Sequence, residues 1–244
     1  MRFGGIVALD SPTFTVEEGE ICGLIGPNGA GKTTLFNCVS RLYTLESGTI
    51  VFDGEDLGAR KPHEIAGRGI ARTFQNLALV RGMTVRDNVL LGAHHRARAG
   101  LVGSALSLPG VRSEERELRE EAEEVLERLE LADIAHCPAA GLPYVTLKRI
   151  ELARALCGRP RLLMLDEPAS GLSHGEVDAL AELLVGLRDE LGLTLLLVEH
   201  HMGMVMRICD RVIVLDHGSK IAEGAPEEVQ RDPKVVMAYL GGEE

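Results

Sequence analysis

The hydrophobic positions of this chain cluster in short aliphatic runs, separated by glycine, proline and charged residues. Three runs are almost continuous, as expected of strands buried on both faces of a parallel sheet. They are Ile21–Ile25, Arg161–Leu165 and Leu193–Val198. Shorter patterns predict strands at residues 48–52 and 70–75, an antiparallel hairpin within residues 1–20, which alternate in part at residues 13–16, and a hairpin of residues 211–215 with 219–222.

Other stretches follow the 3.6-residue period of a helix. Residues 113–131 are strongly charged, but one apolar stripe predicts that they form a surface helix of a compact subdomain. The stripe consists of Leu118, Ala122, Val125 and Leu129. A second helix is predicted to start near Thr146, with Leu147, Ile150, Arg154 and Cys157 along one side.

Several helix ends are marked by local signals. Ser173 and Glu176 form a predicted capping box, and Gly192 closes the helix that follows. Pro226 and Pro233 each open a short C-terminal helix. Helices are also predicted over residues 33–42 and 62–69, so strands and helices alternate as in an α/β protein.

The composition limits the class of protein. A chain of 244 residues can form one large α/β domain, with or without a smaller insert. It has no apolar run of 18 residues and no N-terminal signal pattern. The net charge of −11 argues against general attraction to nucleic acid or anionic lipid, although the middle of the chain is locally basic. Five scattered cysteines indicate buried free thiols in a reducing compartment.

The segment Gly26–Thr34 carries the clearest chemistry. Its residues Gly26, Pro27, Asn28, Gly29, Ala30, Gly31, Lys32, Thr33 and Thr34 fit the pattern G-x-x-x-x-G-K-[ST] between a strand and a helix. Backbone N–H groups of such a loop bind nucleotide phosphates, Lys32 adds a cation, and Thr33 offers a hydroxyl to Mg²⁺. The alternative is a glycine-rich turn that serves only close packing.

Two strand ends supply candidate catalytic groups. Asp166 and Glu167 follow a buried strand, at the edge where α/β sheets bind ligands. Asp166 is predicted to orient Mg²⁺ and Glu167 to act as general base toward an attacking water. His200 follows another buried strand and could reach the same γ-phosphate, whereas His201 is expected to face solvent or packing. Taken alone, an Asp-Glu pair after a strand is as often a solvated strand end.

With these motifs, the chain resembles the ATP-binding subunit of an ABC transporter over almost its whole length. The resemblance implies a P-loop NTPase of ABC type, with a mixed sheet, an antiparallel N-terminal β subdomain and a helical subdomain insert. Residues 1–75 and 158–244 would form the core and the β part, and residues 76–157 the helical subdomain. By the same resemblance Phe3 stacks on adenine, Gln75 couples Mg²⁺ and the attacking water to the membrane partner, and His200 is the switch histidine.

The resemblance also implies partners. Two ATPase subunits, identical or different, would sandwich two ATP molecules, with Tyr144, Val145 and Thr146 contacting the nucleotide of the opposite subunit. They lie in Leu142–Thr146, which aligns with the family signature L-S-G-G-Q. Val145 stands where the second glycine is usual, and a β-branched residue there threatens the close approach of the backbone to the γ-phosphate. We therefore expect Val145 to weaken this half-site.

The chain is similar, more specifically, to the ATPase subunits of branched-chain amino acid importers. The segments that carry this similarity are Met1–Gly5, Leu197–Met202 and Ala238–Gly241, together with the long stretch between Gln75 and the signature. An ATPase subunit does not bind the transported solute, so importers of amides or urea stay open as alternatives. The chain starts two residues before Phe3, which leads us to expect a missing edge strand or a late-assigned start.

The expected setting is the cytoplasmic face of the cell membrane, through permease subunits and indirectly a solute-binding protein, without nucleic acid. A soluble ABC-type ATPase acting on DNA or ribosomes would share the nucleotide chemistry but usually has a coiled-coil insert or two cassettes. A P-loop kinase would need an acceptor pocket and a lid. Neither set of features is visible in the sequence.

Overall fold

The computed structural model describes residues 1–75, 77–96 and 109–240. The chain divides into two compact units. The first consists of Met1–Ile65 and Arg161–Glu244, and the second is Ala66–Pro160. No helix of the described residues is both long enough and apolar enough to cross a membrane.

The described strands are short, and most of the helices are too. The strands are β1 Arg2–Phe3, β2 Ile6–Val7, β3 Ile21–Ile25, β4 Val51–Phe52, β5 Glu55–Asp56, β6 Ile70–Arg72, β7 Leu162–Asp166, β8 Thr194–Val198, β9 Arg211–Asp216 and β10 Ser219–Gly224. The α-helices are α1 Lys32–Val39, α2 Pro62–Ile65, α3 Val85–Leu90, α4 Pro109–Arg128, α5 Tyr144–Cys157, α6 His174–Leu191, α7 Met202–Ile208, α8 Pro226–Arg231 and α9 Pro233–Leu240.

The core of the first unit is a sheet with the strand order β10-β9-β3-β8-β7. Strands β7, β8, β3 and β9 run parallel, and β10 is antiparallel to β9. Every residue of β3, β7 and β8 is buried. The three continuous aliphatic runs are therefore the central parallel strands, and the predicted hairpin of β9 and β10 is confirmed.

Antiparallel pairing is present within residues 1–20, as predicted, and the predicted strand at residues 48–52 is formed as Val51–Phe52. Strand β1 pairs with β2, and β4 pairs with β5. The prediction of a strand at residues 13–16 is wrong, since no strand is formed there. The side chain of Arg211 donates to the carbonyl of Thr15 at 2.7 Å, a bond that a neighbouring strand would otherwise make.

The local end signals of the long helix in the first unit are confirmed. Oε2 of Glu176 accepts the backbone N–H of Ser173 at 2.7 Å, which is one half of the capping box. Gly192 ends α6 in the left-handed region, with φ of 63°. Pro226 and Pro233 stand at the first positions of α8 and α9.

The second unit is built mainly from helices. Ala122 and Leu126 of α4 and Leu129 directly after it are buried, whereas the predicted stripe members Leu118 and Val125 are half-buried. Ion pairs connect parts of this unit that are distant in the chain. Glu121 of α4 binds Arg96, and it also binds Arg159 at 3.0 Å. Helix α5 starts at Tyr144, two residues before the predicted start, because the chain turns directly after Pro143.

Candidate nucleotide-binding site

The loop between β3 and α1 has a backbone that only glycine accommodates at two positions. Gly26 has φ of 147°, and a Cβ atom there would lie 2.0 Å from the carbonyl oxygen of Leu215. Gly31 has φ of 101°, and a Cβ atom would meet the carbonyl of Ala8 at 2.5 Å. The first and last glycines of the motif are thus required by the fold of the loop itself.

Lys32, the first residue of α1, is nearly buried under this loop. Its Nζ donates to the carbonyls of Gly26 at 2.6 Å and Pro27 at 2.9 Å. Burial lowers the pKa of Lys32, and the nearby carboxylates of Glu167 and Asp166 oppose this shift. The sequence motif and the two strand-end carboxylates therefore form one electrostatic cluster.

The two carboxylates sit where β7 ends. Asp166 pairs with Val198 across the parallel strands and is 4% exposed. Glu167 has φ of 50°, in the left-handed region that is uncommon for non-glycine residues, and its N–H donates to Val198 O at 2.8 Å. An outlier of this kind is held only by surrounding structure and is typical of functional sites.

His200 meets Glu167 directly. Its Nε2 lies 2.9 Å from Oε1 of Glu167, with the imidazole less buried than the carboxylate. The bond places an acid-base pair at the carboxyl ends of two adjacent parallel strands. His201 has a structural role. Its Nδ1 accepts the N–H of Met204 and caps α7.

One buried residue between these groups was missed in the sequence. Glu199 is 3% exposed, and its carboxylate accepts three backbone N–H groups, from Ala169 at 2.6 Å, His200 at 2.9 Å and His201 at 3.0 Å. The signal for Glu199 in the sequence was its position directly after an aliphatic strand.

The predicted adenine-stacking residue lies on the surface of the first unit. Phe3 is 43% exposed, and its ring meets the edge of Tyr43 with 5.1 Å between ring centroids. The neighbouring N–H of Arg2 donates to Glu46 at 2.8 Å, which holds the short β1 strand in place. The exposed ring offers a face for stacking, and its contact with adenine stays a prediction.

The hydroxyl of Thr33 and the carboxylate of Asp166 are oxygen donors of the kind that Mg²⁺ prefers. Thr33 is exposed at the second position of α1. Asp166, at the end of β7, raises the pKa of Lys32 against the effect of burial. These residues of the phosphate loop and of β7 therefore fit a magnesium ion that is bound together with nucleotide phosphates. The remaining loop residues Asn28, Gly29, Ala30 and Thr34 complete the same turn and helix start.

Gln75 and the signature residues belong to the second unit. Gln75 is exposed, and the segment around it is anchored to α5: Glu151 accepts the N–H of Phe74 at 3.2 Å, and Arg154 donates to Ala78 O at 2.6 Å. Glu151 is buried, which raises the pKa of its carboxyl, while the bonded N–H groups and Arg154 oppose that shift. The role of Gln75 toward Mg²⁺ and water stays a prediction.

The signature residues form the first turn of α5. Tyr144 is 42% exposed, and Val145 and Thr146 are half-buried. The first intrahelical bond runs from Leu147 N to Pro143 O at 3.0 Å, so the N–H groups of Tyr144, Val145 and Thr146 have no carbonyl of their own helix to bind. Val145 has no positive φ, so valine is compatible with this backbone, and the concern about it is restricted to the bulk of its side chain.

Comparison with known proteins agrees with this geometry. A family model described as ABC transporter matches residues 9–170, and one described as branched-chain amino acid ATP-binding cassette transporter matches residues 219–244. High-affinity branched-chain amino acid transport ATP-binding proteins, BraF of Pseudomonas aeruginosa and LivG of Escherichia coli, are each 42% identical over 241 residues. In both cases the match covers 99% of this chain and 94% of the relative.

Solved structures extend the agreement to the fold. The ADP conformation of an ATP-binding cassette of an ABC transporter superposes with a TM-score of 0.85 and 32% identity, covering 99% of this chain and 95% of that chain. A dimeric post-hydrolysis cassette bound to ADP and phosphate gives a TM-score of 0.76 and 27% identity, over 93% of this chain and 94% of that chain. The predicted ABC-type fold is confirmed. This chain belongs to the ATP-binding subunits of ABC transporters, and it is a nucleotide-binding ATPase.

Proposed function

We propose that this chain drives an importer of branched-chain or related amino acids by hydrolysing ATP at the carboxylate of Glu167. The observation that carries the hydrolytic role is the 2.9 Å contact between Glu167 Oε1 and His200 Nε2, within the electrostatic cluster of Lys32. A carboxylate beside an imidazole can accept a proton from water while the imidazole contacts the γ-phosphate. The chain supplies the energy and selects no cargo.

Each loop residue has a defined part in binding ATP. The backbone N–H groups of residues 28–34 face the phosphates, and Lys32 exchanges its bonds to Gly26 O and Pro27 O for phosphate oxygens. Because those two carbonyls already hold the ammonium in place, little side-chain entropy is lost on binding. Thr33 and Asp166 would hold Mg²⁺. When bound, this ion neutralises charge on the β- and γ-phosphates.

We infer that hydrolysis takes place in a pair of ATPase subunits, either two copies of this chain or this chain with a related one. In such a pair, Tyr144, Val145 and Thr146 of one subunit face the nucleotide of the other. Support comes from the N–H groups of the first turn of α5, which lack intrahelical acceptors and lie at the positive end of the helix dipole. A dimeric cassette among the structural neighbours points the same way.

The second unit would receive the membrane permease at the cytoplasmic face of the cell membrane, with a solute-binding protein acting indirectly. Large apolar side chains are exposed there, among them Val80 at 43%, Met83 at 38% and Leu91 at 42%. Exposed apolar side chains are surface that a protein partner can cover. The choice of branched-chain amino acids rests on the named activity of the relatives, and amide or urea importers are the alternative cargo.

The first test is ATP-dependent dimerisation of Glu167→Gln, measured by light scattering with and without Mg-ATP. Blocking proton acceptance should trap the closed pair, while wild type and the exposed Glu227→Gln control stay monomeric at steady state. If the isolated Glu167→Gln chain stays monomeric with ATP bound, either a different ATPase partner is required or Val145 prevents the symmetric pair, and Val145→Gly in the same background distinguishes the two. Wild-type ATPase activity in Glu167→Gln would refute the catalytic assignment.

The second test concerns coupling and cargo. The chain is reconstituted with its permease in proteoliposomes, and uptake of labelled leucine, urea and an aliphatic amide is compared with and without ATP. We expect ATP-dependent leucine uptake that Glu167→Gln abolishes and Glu227→Gln leaves intact. Uptake of urea or the amide alone would replace the proposed cargo. Stimulation of ATPase activity by DNA or RNA instead of the permease would contradict the transport role.

A further inference from the structure

We infer that Glu199 is a positioning residue, which sets the contact between Glu167 and His200 by binding the backbone of both turns that carry them. This inference rests on the proposed roles of Glu167 and His200. The carboxylate of Glu199 acts on the backbone of these two turns. Its bonds run to the N–H groups of Ala169 on one turn and of His200 and His201 on the other.

The turn after β7 shows why such a bond is needed. Ser170 N donates to Glu167 O at 3.1 Å, which closes a four-residue turn around Pro168 and Ala169. Pro168 has no N–H, and the N–H of Ala169 is not part of the bond that closes the turn. Ala169 is 6% exposed, so water has little access to this donor. Oε1 of Glu199 satisfies it at 2.6 Å.

The turn after β8 is held by the other oxygen of the same carboxylate. Oε2 of Glu199 accepts from His200 N at 2.9 Å and from His201 N at 3.0 Å. These two bonds fix the backbone of the turn between β8 and α7. The position of the Cα of His200 depends on this turn, and so does the reach of its imidazole.

The two turns are adjacent because their strands are paired. Asp166 of β7 stands opposite Val198 of β8, so Glu167 and Glu199 are the first residues beyond the paired ends. Glu167 N also donates to Val198 O at 2.8 Å. The carboxylate of Glu199 extends this connection beyond the paired ends, to Ala169 on one side and to His200 and His201 on the other.

The chemistry requires a carboxylate at this position. Three N–H donors converge on two oxygens, and an ionised carboxylate is an acceptor at both of them. A glutamine amide has one accepting oxygen and would turn its own N–H₂ group toward at least one donor. An aspartate keeps the charge but is shorter by one methylene, so it cannot reach both turns at their present separation.

The test compares Glu199→Gln and Glu199→Asp with wild type in the full chain, alone and with its permease. Both variants should lower kcat at least about tenfold, while the Kd for ATP stays within about threefold of wild type. The matched control is Asp210→Asn. Asp210 also binds a backbone N–H, that of Ile21 at 2.8 Å, but at the opposite ends of the strands, and its variant should keep kcat.

A thermodynamic cycle separates positioning from general structure. In the His200→Ala background, Glu199→Gln should lower kcat less than about twofold further, because the contact that it sets is already absent. A further tenfold loss of kcat in the His200→Ala background would overturn the inference. An unchanged kcat in both Glu199→Gln and Glu199→Asp would overturn it as well. If His200→Ala itself keeps wild-type activity, the proposed function fails at His200, and that outcome is distinct from the failure of Glu199.

A second readout does not depend on turnover. The side-chain NMR signals of His200, assigned with His200→Ala, should shift in Glu199→Gln and stay unchanged in Asp210→Asn. Thermal unfolding is measured for every variant. Unchanged His200 signals in a folded Glu199→Gln protein would refute the positioning role.

Discussion

Nε2 of His200 lies 2.9 Å from Oε1 of Glu167, although the two residues are 33 positions apart in the chain. The contact is made between the turns that follow two parallel strands, and it depends on the left-handed backbone of Glu167. An acid-base pair held in this way is expected to act on a single proton or phosphate oxygen.

Replacing His200 by alanine should therefore lower kcat by about 100-fold or more, since a positioned acid-base group contributes about that much. ATP affinity should change little, because the loop and Lys32 remain. His201→Ala is the control: it removes the cap on Met204 N, lowers stability by about 1 kcal/mol and keeps kcat near wild type. Equal losses of activity in both variants would contradict the assignment.

Phe3 should contribute to affinity for the base and not to chemistry. Its ring is exposed at the surface beside Tyr43, so removing it leaves no cavity. We expect Phe3→Ala to weaken ATP binding about tenfold, with Phe3→Tyr near wild type, since stacking tolerates either ring. Fluorescent nucleotide titration measures both. An unchanged Kd in Phe3→Ala would place adenine elsewhere.

Substitutions of Val145 test whether its side chain weakens the signature segment. Valine suits the helical backbone at the second position of α5, so Val145→Gly should cost this helix about 0.5–1 kcal/mol. We nevertheless expect the ATPase activity of the assembled complex to rise several-fold, because the side chain no longer obstructs the approach of the opposite nucleotide. The ATPase activity of Val145→Ala should lie between that of wild type and that of Val145→Gly. Unchanged activity in both variants would show that the valine is tolerated.

The five cysteines should differ sharply in reactivity. Burial raises the pKa of Cys157 to about 11 and that of Cys209 to about 12, and it also raises the pKa of Cys22 and Cys38. At pH 8 about one in a thousand Cys157 thiols is then ionised, and thiolate is the reactive form. Cys137 is exposed.

We therefore predict one fast-reacting thiol per chain with a water-soluble disulfide reagent, and none in Cys137→Ser. All five should react after unfolding in urea. Two or more fast thiols in the native protein would contradict the buried positions of the other four.

Much of the fold was predictable because its signals are local. An uninterrupted aliphatic run such as Leu193–Val198 identifies a strand buried on both faces, whatever its neighbours are. The Ser173–Glu176 box and Gly192 mark the ends of α6 through bonds within a few residues. The predicted strand at residues 13–16 is absent. There the carbonyl of Thr15 accepts a hydrogen bond from the side chain of Arg211 instead of a bond from a neighbouring strand.

The sequence by itself determined the phosphate loop and the ABC-type family, and it supplied the residues proposed to act on ATP, because each depends on residue types at fixed short spacings. The tertiary structure alone decided which of these groups meet. The register of β7 against β8 brings Glu167 to His200, and the burial of Glu199 turns an ordinary strand-end carboxylate into the acceptor of three N–H groups. Contacts of this kind depend on strand pairing and burial, which no short segment of the chain specifies.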